Sequence, residues 1–99
     1  MSHNNELPIP PIALQNDNAK EIARIWAAGG AQHITLSAPL WSDPAMWGIM
    51  LVDLSKLVAD AYNRSGDFDR TDALARIKSG FDAEWTSATD EPFGDFASQ

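Results

Sequence analysis

Polar and apolar residues take turns from Gln32 to Leu40, with His33, Thr35 and Ser37 on one side and Ile34, Leu36 and Ala38 on the other. Period-two alternation with β-branched residues predicts a strand with one buried face. Pro39 has no N–H to give to a ladder and marks where pairing fades. A helical period takes over after Asp43, placed as N-cap with Pro44 at the first helical position, and predicts a helix from Pro44 to about Ser65 that stops at Gly66. Its Asp53, Lys56, Asp60 and Arg64 form one solvated stripe of alternating charge. The first two turns, with Met46, Trp47, Ile49, Met50, Leu51 and Val52, are apolar around most of the circumference, as in helices buried on several sides. Traced backward, the charged stripe meets Ile49 and Met46. Leaving two or three such side chains in water forgoes about 1.5–3 kcal/mol each, so something must cover them.

Asp69 caps a third predicted helix with Asp72 in its first turn, and Leu74, Ile77, Phe81 and Trp85 lie on a single stripe that docks on one side only. Ahead of the strand, Asn16 or Asp17 is read as the N-cap of a helix carrying Ile22, Ile25 and Trp26 and stopped by Gly29-Gly30. Residues 1–13, with Pro8, Pro10 and Pro11, form an extended arm whose Leu7, Ile9 and Ile12 suit a groove. Residues 14–86 then make one α+β domain of helix, strand, helix and helix. Residues 87–99, with three acids, no base and no period, form a flexible acidic tail in which Phe93 and Phe96 are candidates to dock.

The 99 residues, 44% hydrophobic and 21% charged, suffice for one small core. Seven basic against fourteen acidic residues give a net charge of −7 and a sequence pI near 4.4, which argues against nucleic acid and anionic membranes as partners. The chain contains no cysteine, which excludes disulfides, a thiol nucleophile and a cysteine zinc site. MSHNNELPIPP lacks the basic and apolar regions of a secretory signal, and the longest apolar-rich stretch, Ala45 to Leu54, falls far short of the roughly 20 residues of a membrane span. The expected location is the cytoplasm.

Candidate chemistry is sparse. His33 and Ser37 share a strand face, but four residues of strand set them about 13 Å apart, beyond the reach of a base and its nucleophile. Asp67 to Asp72 opens like a calcium loop and then fails, with Asp72 where glycine is required and Lys78 where a bidentate glutamate is required. Gly29-Gly30 lacks the residues of a phosphate loop, and His3 has no evident partner. Trp26, Trp41, Trp47 and Trp85 fit core packing, with Trp41 placed to fold back on Trp47. No catalytic residue, metal site or cofactor is expected. His33, Thr35 and Trp41 are the residues best placed to touch a small ligand.

Three runs carry a wider resemblance: Gly29-Gly30-x-Gln32-His33-Ile34-x-Leu36; Leu40-Trp41-x-Asp43-Pro44-x-x-Trp47-Gly48-Ile49-Met50-Leu51-Val52-Asp53-Leu54; and Ala73-Leu74-Ala75-Arg76-Ile77-x-x-Gly80-Phe81-Asp82-Ala83-Glu84-Trp85. Together with Glu6-Leu7-Pro8-Ile9-Pro10-Pro11 they make the chain resemble a family of short bacterial proteins known only as a domain of unknown function. That resemblance implies an intact single domain and no particular activity.

A lone strand leaves backbone groups unpaired. The arrangement expected is therefore a homodimer in which two Gln32-to-Ala38 strands pair antiparallel, with Ile34, Leu36, Met46 and Ile49 of each copy in a shared core. The competing arrangement pairs the strand with the arm. A non-enzymatic adaptor or regulatory module that contacts another protein is the leading functional expectation. A small-ligand domain with a cleft near the tryptophans and His33 is the alternative, and an enzyme using His33 with an acid from elsewhere is the third.

Overall fold

The computed structural model describes residues 3–37, 40–87 and 93–97; Ala38 and Pro39, where the strand was expected to fade, lie outside them. In the arm, Pro10 and Pro11 start a single helical turn, α1, at Pro11–Leu14. Asn16 does not cap a longer helix. Its Oδ1 accepts from the Asn18 N–H and its carbonyl from the Ala19 N–H, which closes a turn.

The helix expected up to Gly29 is instead a strand, β1, at Ala23–Ala28, and it pairs antiparallel with β2 at Ala31–Ser37. Gly29 and Gly30 form the two-residue connection with φ of 61° and 77°. Positive φ at both positions is the geometry whose twist matches that of paired strands, and glycine adopts it without strain. The Gly-Gly pair is thus a hairpin turn and not a helix stop. The register sets Ile25 opposite Ile34 and Ala23 opposite Leu36 on one face, and Trp26 opposite His33 and Arg24 opposite Thr35 on the other. The alternation read along β2 is correct; its mate is the chain immediately before it.

α2 spans Ala45–Ser65 and α3 spans Arg70–Thr86. Asp43 Oδ1 accepts from the Ala45 N–H at 3.0 Å, and Gly66 closes α2 with φ of 85°. Asp69 caps α3 by accepting from the Thr71 N–H. Within the segment expected as a flexible tail, Phe93–Ala97 forms β3, parallel to β2 on the edge away from β1. The α2–α3 pair is therefore the crossover that parallel strands require. Class α+β holds, with element order α1-β1-β2-α2-α3-β3. Both edges of β2 are occupied within the chain, so its backbone has no edge left to pair with a second β2 or with the arm.

The helices meet near their connecting loop. Ala59 and Ala73 are buried there, Arg70 pairs with Asp60, the Asn63 side chain donates to the Phe68 carbonyl, and Tyr62 meets Phe68 edge-on. Cover then fades along α3, from 4% exposure at Ala73 to 51% at Phe81 and 80% at Trp85. Among the described residues, no Cα of α2 or α3 lies within 8 Å of a strand Cα. The radius of gyration is 15.5 Å, where about 13 Å is usual for this length. The chain exposes 8527 Å², about 3,000 Å² more than a folded monomer of its mass normally shows.

Candidate functional site

Polar groups converge on the His33 face of the hairpin. The Arg24 guanidinium sits between Glu21, at 3.1 Å, and Glu6 of the arm. Strand pairing fixes the position of Arg24, the turn before β1 brings Glu21 beside it, and Glu6 reaches it because the arm runs along the outside of β1. The hydrogen bonds that Arg24 donates to Glu21, and then to Glu6, hold its pKa above the ordinary value. Next to this cluster the His3 ring meets Trp26 edge-on with centroids 5.0 Å apart, so His3 has a partner that its place in the arm did not suggest. His3 Nδ1 also accepts from the Asn5 N–H.

The arm and β1 enclose an open groove of about 620 Å³, with Leu7, Ile9, Leu14, Ile25 and Trp26 among its walls and Arg24 at its polar end. A smaller hollow continues across Arg24 to Thr35 and Ser37. Of the residues expected to touch a ligand, His33 and Thr35 do share a face. His33 is exposed, with Nε2 3.3 Å from the Ala28 carbonyl oxygen. Trp41 is not gathered with them in either hollow; it packs edge-on against Trp47, with centroids 4.9 Å apart, at the start of α2. Arg24, Glu6 and Glu21 were not foreseen. The signal for them was the Gly-Gly pair between two runs able to form strands, which brings Arg24 opposite Thr35.

The second candidate surface is apolar. Met46 and Ile49 are 41% and 56% exposed, so the chain itself does not cover them, while Ile34 and Leu36 are half-buried on the apolar sheet face. Leu51, Val52, Leu54, Leu57 and Val58 are exposed along α2 as well. Among the described residues, no helix is long and apolar enough to cross a membrane.

The chain resembles a protein from the photosynthetic bacterium Rhodopseudomonas palustrus CGA009 described as a "putative pyruvate dehydrogenase". The two are 32% identical and superpose with a TM-score of 0.74 over 92% of this chain and 93% of that one. No curated protein matches the chain. Residues 6–89 match the family described as Domain of unknown function (DUF5076), from the arm through the whole of α3, and the protein belongs to that family.

Proposed function

We propose that this protein is a small acidic, non-enzymatic interaction module that works as a homodimer and offers its remaining surface to a protein partner. The observation that carries this reading is the mismatch between surface and mass. About 3,000 Å² of excess surface exceeds the roughly 800 Å² per partner that a standard interface removes. Only Ala59 and Ala73 are buried apolar residues among those described, too little to hold two separate substructures together in a lone chain. Sedimentation equilibrium at micromolar concentration tests the reading. A dimer is expected, and a monomer that keeps its full helical signal overturns it.

A small-ligand cleft is the second reading, favoured by the groove between arm and β1. Its strongest polar group, Arg24, is already held by Glu6 and Glu21, which leaves little for a ligand to engage. The name of the Rhodopseudomonas relative suggests an enzyme. Among the described residues, however, no three His, Asp or Glu side chains stand close enough to share a metal ion, and the acids that do converge are committed to Arg24.

A further inference from the structure

We infer that the face of α2 centred on Leu54 is the seam across which two copies of this chain meet, helix against helix and antiparallel; this rests on the homodimeric reading above and assigns its interface. At 3.6 residues per turn, Trp47, Met50, Leu51, Leu54, Leu57, Val58 and Ala61 fall on one side of α2. Trp47, Leu54 and Ala61 are seven apart, and Met50 and Leu57 are seven apart, the spacing of a helix–helix seam. Asp53, Lys56 and Asp60 lie on the other side, together with Ile49 and Val52, which this seam leaves open.

This face is not the one that α3 uses. Leu54 points about 140° around the helix from Ala59, the residue buried against α3. The sheet does not approach it either. Leu57 at the middle of the face is 67% exposed, and Leu51, Leu54 and Val58 are each more than a third exposed.

Two observations choose a second copy as the occupant, and a third, the charge of the seam, is compatible with it. The excess surface is sufficient for a stable dimer. Two chains of net charge −7 repel each other, so a self-contact needs a seam free of charge, and no charged residue falls inside this one. Leu54 lies one residue from the midpoint of α2 and at the middle of its apolar arc, so a two-fold axis through it lets each face cover the other from end to end. The antiparallel direction opposes the two helix dipoles and brings Arg64 toward Asp43 of the partner subunit.

The absence of cysteine makes the test direct. Leu54→Cys places two thiols across the axis within disulfide reach, whereas Lys56→Cys places them on the far side of α2. Under a mild thiol oxidant, full-length Leu54→Cys is expected to lose its monomer band on a non-reducing gel while Lys56→Cys keeps it. A wild-type chain that sediments as a monomer overturns both the seam and the homodimeric reading. A wild-type dimer in which position 54 links no faster than position 56 overturns the seam alone. Should Leu54→Cys lose helical circular dichroism, Leu57→Glu decides: conversion to monomer supports the seam, and a persisting dimer overturns it.

Discussion

The hairpin with its arm and the helical pair solve the same problem by opposite means. The first satisfies itself locally: β1 and β2 exchange backbone hydrogen bonds, Arg24 is held by two carboxylates, and His3 rests on Trp26. The second has well-made ends, with Asp43 accepting from the Ala45 N–H ahead of α2, Asp69 as the cap of α3 and Gly66 as terminator, but buries only two alanines and turns most of its large apolar side chains outward. A region held by directional polar contacts needs less cover, although Leu7, Ile12, Leu14 and Ile25 of the first are more than half exposed. One held by apolar surface is complete only when that surface is covered, and here its own chain does not cover it.

Substitutions aimed at one region at a time sharpen this contrast. The largest effect is expected from Ala59→Leu, because Ala59 is fully buried where the helices touch and its neighbours have no room for a larger side chain. Overpacking of this kind costs about 1–3 kcal/mol. Hydrogen exchange should lose protection in α2 and α3 and keep it in β1 and β2; an unchanged melting temperature would refute the reading. Gly30→Val should do the reverse. A β-branched residue at φ of 77° costs about 1–2 kcal/mol, and protection should fall in the hairpin while helical circular dichroism holds.

The smallest effect belongs to the arm. Glu6→Gln removes one charge from a half-buried surface ion pair, so global stability should hardly move, but limited proteolysis within residues 3–10 should accelerate. The same clamp should resist alkali. Because the folded Arg24 pKa is raised above its ordinary value, its contribution is fully present through the neutral and mildly alkaline range and is lost only as pH rises through the folded value. Release of the arm at a lower alkaline pH would contradict this.

Sequence reasoning reached the elements whose signals are local. The alternation along His33 to Ser37, the Asp69 cap, the Gly66 stop and the Trp41–Trp47 contact are each set by residues a few positions apart, and α2 starts one residue later than expected, since Pro44 and not Asp43 is its N-cap. It misread β1 because Ile22, Ile25 and Trp26 stand at the helical spacing i, i+3, i+4, whereas the strand puts Ile25 and Trp26 on opposite faces. Reading Gly29-Gly30 as a terminator then hid the hairpin, and with it the placement of Arg24 and Trp26 opposite Thr35 and His33. β3 could not be foreseen, since nothing within Phe93–Ala97 encodes a parallel partner on the far side of two helices. That Met46 and Ile49 are not covered by their own chain was legible; that α2 presents a separate apolar face around Leu54, about 140° from Ile49, follows only from the placement of α3 on the Ala59 side.

The two-residue Gly29-Gly30 connection also bears on the order in which the chain acquires its structure. β1 and β2 are neighbours in sequence, so their pairing closes a minimal loop and belongs among events of about 1–10 μs. α2 and α3, joined by a four-residue link, can form on their own schedule. β3 must wait until both helices have been traversed before it reaches β2, and carries the entropy of that long closure. A ribosome-bound chain that has released residues only as far as α3 therefore already holds a finished hairpin with one edge open, and β3 closes that edge last.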